Sequence, residues 1–341
     1  GDVMVVAGTH DEPSNTVHAW SAGVVCEPRH ADMLLDHTGF KVDGSVSCIE
    51  LWGASKLFVG SSSGSLKCLG VQAQEAISED VEEPIQYQLQ EVARVREDGA
   101  EGKAPLHSAA VSAIAVHPVE ETVLSAGEDG QIFVLQAEPA GSIVATKMNQ
   151  PADWVAIYDV KYSSSGNEFF SAGTAGGLQM WDARSKSSVR KYSDGNDANI
   201  PYMSVEPIEQ HLLAGRENGE ISVFDTRFER GALYTHGSDT LEDGFHSSCV
   251  WTIRRCGEHA ELFLSCSGDG TILSFQPQLQ SPFSLIPIAW HRYSQAVNDV
   301  DAVVLNKGRQ DEVILTIAAA DHGLLVAQPH AQLRRDDIMM A

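Results

Sequence analysis

Two sets of His, Ser and Asp residues recur along the chain at similar spacing. In chain order they are His107, Ser125 and Asp129, then His246, Ser265 and Asp269. These residue types can act as a catalytic triad, in which the His takes the proton of the Ser hydroxyl and the Asp orients the His. An enzyme needs such a triad once, whereas a satisfied buried hydrogen-bond network can stabilise every copy of a repeated unit. The recurrence therefore predicts a structural network rather than a catalytic site.

Residues 60–64, GSSSG, match the Gly-x-Ser-x-Gly pattern of a hydrolase nucleophile elbow. That elbow requires a strand, a sharp turn and then a helix, whose N-terminus helps to stabilise the oxyanion. The residues that follow, SLKCLGV, alternate between apolar and polar positions and are typical of a strand. The stretch is therefore predicted to be a turn, and we predict a protein that is not an enzyme.

The sequence also lacks a recognisable metal or cofactor motif. Its 13 His residues include no HxxxH or HExxH spacing. The loop that begins at Asp194 starts like a calcium loop, but Ala198 and Val205 occupy positions that need oxygen ligands. The six Cys residues form no CxxC pair, which is typical of free thiols in a reducing compartment. We predict neither a bound metal nor a cofactor.

The candidate residues lie within a unit that recurs along the chain. Each copy has an apolar run, a turn rich in Gly, Asp or Asn, and a second run with alternating apolar positions. Four clear copies are VLSAGEDGQIFVLQAE, SAGTAGGLQMWDARS, LLAGRENGEISVFDTR and FLSCSGDGTILSFQPQ, and three weaker ones are VVAGTHDEPSNTVHAW, LFVGSSSGSLKCLGV and ILTIAAADHGLLVAQ. The pattern predicts seven β-hairpins, because Gly and Asn accept the positive φ of tight turns. Apart from a longer first gap, the spacing is near the roughly 40–45 residues of a four-stranded propeller blade.

A further β-type segment precedes most hairpins and predicts the innermost strand of each blade. These segments are VSCIEL, VSAIAVHP, YDVKYS, VWTIRRC and VNDVDAVV. A four-stranded sheet of this kind cannot bury both faces alone, so each blade must cover the apolar face of its neighbour. The predicted fold is all-β, a seven-bladed β-propeller with four-stranded antiparallel blades, forming one domain over residues 1–341.

Two segments depart from the regular repeat. An acidic, partly mobile insertion at about residues 71–106 accounts for the long first gap, and its IQYQLQEV portion predicts the outer strand of a blade. The second segment, PFSLIPIAWHRY, either holds the last strand of the sixth blade or exposes aromatic side chains to a partner. Its alternation favours the strand.

The charge of the chain excludes some classes of partner. The formal net charge is −24, which repels the phosphate backbone of nucleic acids. The longest apolar runs are too short to cross a bilayer. We therefore predict no direct binding of nucleic acid and no membrane insertion.

These motifs resemble the WD-repeat (WD40) family, in which a His before the first strand, a Ser or Thr on the second, an Asp in the turn and a Trp on the third form a buried hydrogen-bonded set. The two His, Ser and Asp sets match three members of it, although Leu135 and Phe275 stand where the Trp is expected. In SAGTAGGLQMWDARS the Trp is present instead, since Ser171 and Trp181 match while Ala175 replaces the turn Asp. The resemblance implies that the matching residues form a structural network in each blade.

Within that family, the order of GEDGQIFVLQA, YDVKYSSSGNEFFSAGTAGGLQMWDARS, CSGDGTILSFQP and AVNDVDAVVLNKGRQDEVILTIAAADHGLLVAQ is similar to the small seven-bladed WD-repeat nucleoporins of the Y-shaped nuclear pore scaffold complex. The resemblance implies a non-enzymatic scaffold at the nuclear envelope, in the nuclear pore complex. It further implies a monomeric subunit that docks onto helical scaffold nucleoporins and supports pore assembly and the transport of protein and mRNA.

Two alternatives stay open at this point. A soluble WD40 adaptor would recognise a peptide or modified protein tail in the central channel, for which we expect an aromatic cage or a charge cluster. The sequence alone assembles neither feature. An enzyme built on a propeller would need convergent carboxylates or a metal at the axis.

Overall fold

The structure is a computed structural model that describes residues 3–9, 15–22, 39–73, 86–98, 104–139, 141–148, 152–175, 177–193, 200–229, 231–236, 245–256, 262–281, 283–305, 313–320 and 325–330. Within these ranges the regular elements are all β-strands, and no helix there has the length and apolar character needed to cross a bilayer. Some predicted features lie outside the described residues: Cys26, the loop at Asp194, the turn residues Gly176 and Gly323, and the acidic residues 74–85 and 99–103.

The described strands form seven consecutive groups, one for each predicted blade. The first three groups contain β1 (Val3–Gly8), β2 (Thr16–Ala22) and β3 (Phe40–Lys41); β4 (Val46–Trp52), β5 (Lys56–Ser61), β6 (Leu66–Ala73), β7 (Gln86–Ala93) and β8 (Val95–Glu97); and β9 (Val111–Val116), β10 (Thr122–Gly127), β11 (Ile132–Ala137) and β12 (Ile143–Lys147). The next two contain β13 (Ile157–Tyr162), β14 (Glu168–Gly173), β15 (Leu178–Asp182) and β16 (Ser187–Tyr192); and β17 (Tyr202–Ile208), β18 (His211–Arg216), β19 (Ile221–Asp225) and β20 (Tyr234–His236). The last two contain β21 (Val250–Arg255), β22 (Phe263–Ser267), β23 (Thr271–Gln278) and β24 (Ser284–Arg292); and β25 (Val297–Leu305), β26 (Val313–Ala320) and β27 (Leu325–His330).

Apart from β8, the strands of each group form an antiparallel meander, and the inner strand of each group contacts the inner strand of the next. The contacts follow the chain in the order β1, β4, β9, β13, β17, β21 and β25. The segments predicted to be innermost strands are β4, β9, β13, β21 and β25, and all five lie at an edge of their sheets. This arrangement confirms the predicted all-β propeller with four-stranded antiparallel blades.

The hydrophobic core lies between the blades, in six clusters that each join two consecutive groups. Strand β10 illustrates the cause. Its Val123 packs with Phe58 of the second blade, whereas the next residue, Leu124, packs with Trp181 of the fourth. Because successive side chains of a strand point to opposite faces, one strand supplies both clusters. In the described chain, the second to sixth blades therefore bury their two apolar faces against both neighbours.

The predicted hairpins are confirmed wherever their turns are described. Gly64, Gly130, Gly219 and Gly270 adopt φ values of 80°, 71°, 91° and 81°. Each lies between the second and third strands of its blade, where a left-handed residue closes the turn. The sequence PFSLIPIAWHRY contains β24, which pairs with β23, so the preferred interpretation of that segment is confirmed as well.

The described part of the acidic insertion connects three blades. Strand β7 is the predicted outer strand of the second blade, and its Tyr87 lies opposite both Ala73 of β6 and Ala19 of β2. The first two blades therefore share one sheet. Strand β8, which the sequence did not predict, pairs in parallel with β12 of the third blade.

Candidate functional site

The first His, Ser and Asp set forms a continuous hydrogen-bonded chain in the third blade. His107 precedes β9, Ser125 lies on β10 and Asp129 lies in the following turn. The His107 Nε2 atom is 2.9 Å from Ser125 Oγ, and Nδ1 is 2.9 Å from Asp129 Oδ1. Since an ionised carboxylate only accepts, Nδ1 carries a proton and donates to Asp129. The other oxygen, Asp129 Oδ2, accepts from the Ser108 amide at 2.9 Å.

The second set repeats this arrangement in the sixth blade, with one link stretched. His246 Nε2 lies 2.7 Å from Ser265 Oγ, but His246 Nδ1 is 3.9 Å from Asp269 Oδ1, too far for a hydrogen bond. Asp269 instead accepts from the amides of Ser247 at 2.7 Å and Thr271 at 2.8 Å.

The two turn carboxylates are held in their ionised form. Burial alone would raise their pKa, but the neighbouring His and the backbone amides outweigh it and lower the pKa of both Asp129 and Asp269 below the ordinary value. A lowered pKa in the folded state contributes stability above the unfolded pKa, and this stability is lost as the pH falls. Both networks therefore weaken in acid.

The triad geometry in the third blade is closed to substrates. Ser125 is 0% exposed and His107 is 1% exposed, so a substrate carbonyl cannot reach the hydroxyl in this conformation. The Gly-x-Ser-x-Gly stretch has no nucleophile elbow either. Its central residue, Ser62, accepts from the Ser45 amide at 2.9 Å, and β6 rather than a helix follows.

The fourth blade uses a different set of partners. Trp181 on β15 donates through Nε1 to Ser171 Oγ on β14 at 3.0 Å, and its ring stacks on Phe169 with centroids 5.9 Å apart. The turn Asp is replaced by Ala175, whose backbone amide donates to Asp153 Oδ2 at 2.8 Å. The other oxygen of Asp153 accepts from the Val155 amide at 2.8 Å. The carboxylate has thus moved from the turn to the loop before the inner strand.

Asp153 is a structural residue that the sequence analysis missed. It stands four residues before Ile157, as His107 stands four residues before Val111. The WD-repeat pattern expects a His at this position, so the pattern does not indicate an Asp there. The signal was present in the spacing alone.

The networks also join neighbouring blades. The His107 amide donates to the carbonyl of Gly64, in the turn of the preceding blade, at 3.0 Å. The amides of Ala152 and Asp153 donate to the Gly130 carbonyl at 3.0 and 3.2 Å, and the Tyr293 amide donates to the Gly270 carbonyl at 2.8 Å. A Cβ atom on Gly64 would lie 2.1 Å from the His107 carbonyl oxygen. Gly is therefore required there by both its φ angle and the close approach of the next loop.

The inner strands bring together charged side chains that the sequence alone did not. Five of them hold a charged residue at the same position, four residues beyond the first residue of the strand: Glu50 on β4, Lys161 on β13, Glu206 on β17, Arg254 on β21 and Asp301 on β25. We call these five residues the channel ring. In the order of the blades their charges alternate in sign, and the same position holds Ala7 on β1 and Ala115 on β9.

Arg254 is the most connected member of the channel ring. Its Nη1 lies 3.7 Å from Glu50 Oε2, and its Nη2 lies 3.8 Å from Oδ2 of Asp299, on β25. Burial opposes ionisation of Arg254, yet the carboxylates of Asp299, Glu50, Asp301 and Asp159 raise its pKa above the ordinary value. The guanidinium stays charged.

Two carboxyls of this region, Glu206 of the channel ring and the neighbouring Asp159, also have raised pKa values, which for a carboxyl disfavours the ionised form. Burial raises the pKa of Glu206 to about 7, although Lys161 and Arg254 lower it. Burial also raises the pKa of Asp159, whose Oδ2 accepts from the Val205 amide at 3.0 Å. A cluster of charged side chains therefore lies along the inner strands, whereas the adaptor alternative expects one at the top of the channel.

The described thiols are poor nucleophiles. Burial raises their pKa to about 12 for Cys48, Cys249 and Cys256 and to about 11 for Cys68, and it also raises the pKa of Cys266. All five are free. In the described ranges no group of three or more His, Cys, Asp or Glu side chains is arranged to hold a metal ion.

The third blade is where the sequence matches a family. The family model described as "WD domain, G-beta repeat" matches residues 104–134, which include His107, Ser125 and Asp129. The chain carries a WD repeat. The predicted resemblance is thereby confirmed, and the matched residues include the His, Ser and Asp set with the complete geometry.

The WD repeat also appears among the similar proteins. The Arabidopsis thaliana nuclear pore complex protein NUP43 is 24% identical over 48% of this chain and 50% of its own length. An uncharacterized WD repeat-containing protein of Schizosaccharomyces pombe is 27% identical over 45% of this chain and 41% of its own length. Rat Striatin-3 is 24% identical over 76% of this chain and 29% of its own length. The chain thus spans half or less of the length of these relatives.

Proposed function

We propose that this WD-repeat propeller is a non-enzymatic scaffold subunit of the nuclear pore complex. In this proposal it docks through its propeller surfaces onto helical nucleoporins of the Y-shaped complex, at the nuclear envelope, and supports pore assembly and nucleocytoplasmic transport. The similarity to the nuclear pore complex protein NUP43 of Arabidopsis thaliana carries the proposal. The chain acts as a single propeller domain and enters the complex as a monomer.

The chemistry of the described residues supports a role in binding rather than catalysis. The two His and Ser pairs that resemble a catalytic site are buried, and the described thiols have raised pKa values. The described strands instead form blades that are joined, at the turns of Gly64, Gly130 and Gly270, by hydrogen bonds to the following loop. A rigid scaffold with variable loops is suited to presenting several surfaces to partner proteins.

A soluble WD40 adaptor is the second candidate. It is favoured by the charged residues on the inner strands and by the similarity to Striatin-3, which extends over 76% of this chain. In this case the channel ring would bind a peptide or a modified protein tail.

Affinity purification of the tagged chain from its own cells, after chemical cross-linking, separates the two candidates. The scaffold proposal expects helical nucleoporins in stoichiometric amounts and a tagged chain at the nuclear rim. Recovery of a soluble complex without pore components, together with diffuse localisation, would replace the scaffold by the adaptor.

A further inference from the structure

In the described part of the chain, one face of the propeller combines exposed aromatic side chains with a surplus of carboxylates. It consists of the loops before the inner strands and the turns between the second and third strands, which we together call the channel mouth. In the described chain these are residues 42–45, 62–65, 104–110, 128–131, 152–156, 174–175, 200–201, 217–220, 245–249, 268–270 and 293–296. They share one face because each turn Gly packs against the next loop, as Gly64 does on His107 and Gly270 on Tyr293.

The charged side chains of the described channel mouth are all acidic. The seven carboxylates are Asp43, Glu128, Asp129, Asp153, Glu217, Glu220 and Asp269, and these ranges contain no Lys or Arg. Asp43, Glu128 and Glu217 are exposed, whereas Glu220 is paired with Arg216, at the end of β18, at 2.9 Å. The opposite face is mixed, with Lys186 and Arg227 among its acidic residues. The negative field of the channel mouth is therefore local and does not simply repeat the net charge of the chain.

Trp154 is the most exposed large hydrophobic residue of the described chain. It is 85% exposed, and its neighbour Val155 is 55% exposed, whereas Trp side chains are on average highly buried. The loop that carries it is held on both sides of the side chain. Asp153 accepts from Val155 and Ala175, and Gln179 Nε2 donates to the Ala152 carbonyl at 2.5 Å. The exposure of Trp154 is thus built into an ordered loop.

A second exposed aromatic side chain, Trp251 on β21, borders the channel mouth. Trp251 lies at a β-bulge, because Val250 pairs with Ser267 and Thr252 with Cys266, which leaves Trp251 between them. A bulge redirects the side chain of the extra residue, and Trp251 is 41% exposed beside the turn at Gly268. Trp154 and Trp251 therefore lie on either side of the fifth blade.

We infer that the channel mouth binds a basic segment of a partner protein that also presents an apolar side chain. This inference rests on the proposed scaffold function and specifies its docking surface. The carboxylates attract and orient Lys and Arg side chains, and the two Trp rings supply apolar anchors and faces for cation–π contacts. A phosphate backbone would be repelled by the same carboxylates.

Binding of labelled peptides to the purified chain, followed by fluorescence anisotropy, tests the inference. Three peptides of equal length serve as probes: alternating Lys and Leu, alternating Lys and Ser, and alternating Glu and Leu. The Lys/Leu peptide is expected to bind most tightly, the Lys/Ser peptide weakly, and the Glu/Leu peptide not at all. Affinity for the basic peptides should fall with added salt.

Substitutions then locate the site. Trp154→Ala should weaken the binding of the Lys/Leu peptide about ten-fold, because it removes an apolar anchor. It should leave the affinity for the Lys/Ser peptide unchanged. Glu217→Lys should weaken the binding of both basic peptides. The matched controls Val119→Ala and Glu121→Lys lie in the exposed loop between β9 and β10, on the opposite face, and should change neither. Since Trp154 is exposed, its replacement should leave the thermal unfolding midpoint unchanged.

The inference is overturned if the Glu/Leu peptide binds as tightly as the Lys/Leu peptide, or if Trp154→Ala has no more effect than Val119→Ala. This result is separate from the cross-linking result for the pore scaffold. Nucleoporins that are recovered equally with wild-type and Trp154→Ala chains would support the scaffold while rejecting the channel mouth as its docking surface. Binding of the Lys/Leu peptide without recovery of nucleoporins would support the channel mouth as a binding surface and reject the pore scaffold.

Discussion

The guanidinium of Arg254, on the inner strand of the sixth blade, lies 3.7 Å from the carboxylate of Glu50, on the inner strand of the second. The contact joins blades that are far apart in sequence. The same guanidinium reaches Asp299 of the seventh blade at 3.8 Å. One side chain therefore links three blades through the middle of the propeller.

Removal of Arg254 should destabilise the fold. Arg254→Ala leaves Glu50, Asp299 and Asp159 without their shared cation, and we expect a loss of about 1–2 kcal/mol in the free energy of unfolding, less than for a fully buried pair. Urea denaturation measures it. The control is Arg227→Ala, which breaks a 2.6 Å pair with Asp225 at the surface and should cost less than Arg254→Ala, because water screens an exposed pair. Equal losses would show that the channel contact adds nothing beyond a surface ion pair.

The stability of the chain should depend on the ionisation of Glu206. The folded pKa of about 7 is above the ordinary Glu value of 4.5, so the folded state holds the proton more tightly than the unfolded state. Glu206 therefore reduces stability progressively as the pH rises from about 4.5 to 7. Glu206→Gln should flatten this part of the stability profile, measured by denaturation at several pH values. An unchanged slope would mean that Lys161 and Arg254 hold the carboxylate ionised.

The two His networks should differ in strength. His107→Ala breaks hydrogen bonds to both Ser125 and Asp129, and we expect a loss of about 3 kcal/mol. His246→Ala breaks the bond to Ser265, while Asp269 keeps its backbone partners, so the loss should be about 1 kcal/mol smaller. Thermal and denaturant unfolding compare the two variants. Identical losses would indicate that the link between His107 and Asp129 contributes nothing to stability.

Asp153 should be required for the order of the fourth blade. Asp153→Ala leaves the amides of Val155 and Ala175 without their acceptors and should cost about 2 kcal/mol. Asp153→Asn keeps one acceptor oxygen and should cost about half as much. Hydrogen exchange at the Val155 and Ala175 amides measures the loss of local stability.

Asp182 supplies the matched control for that measurement. Its carboxylate accepts from the amides of Arg184 and Ser185 at 2.9 and 2.7 Å, but in an exposed turn. Because water can replace it there, Asp182→Ala should cost less than Asp153→Ala. A larger cost at Asp182 would contradict the structural role assigned to Asp153.

Local pattern was sufficient to predict the repeated architecture. The period-two alternation and the turn glycines predict hairpins because both act within a few residues. The segments around Val111 and Val250 were identified as inner strands for the same reason. Strand β17 was missed, since its Tyr-Met-Ser-Val-Glu-Pro-Ile sequence contains a Pro and lacks the clear alternation of the others. Strand β8 has only three residues and exists through its pairing with β12.

The sequence by itself determined which residues occupy equivalent positions: spacing alone aligned His107 with His246 and Ser125 with Ser265. Only the tertiary structure decided which of these sets forms a complete network. The distance from Nδ1 to the turn Asp is 2.9 Å for His107 and 3.9 Å for His246, and this difference depends on packing between blades. The contact between Arg254 and Glu50 likewise depends on the tertiary structure. Charges on separate blades come together through the curvature of the propeller, which no local pattern in the chain encodes.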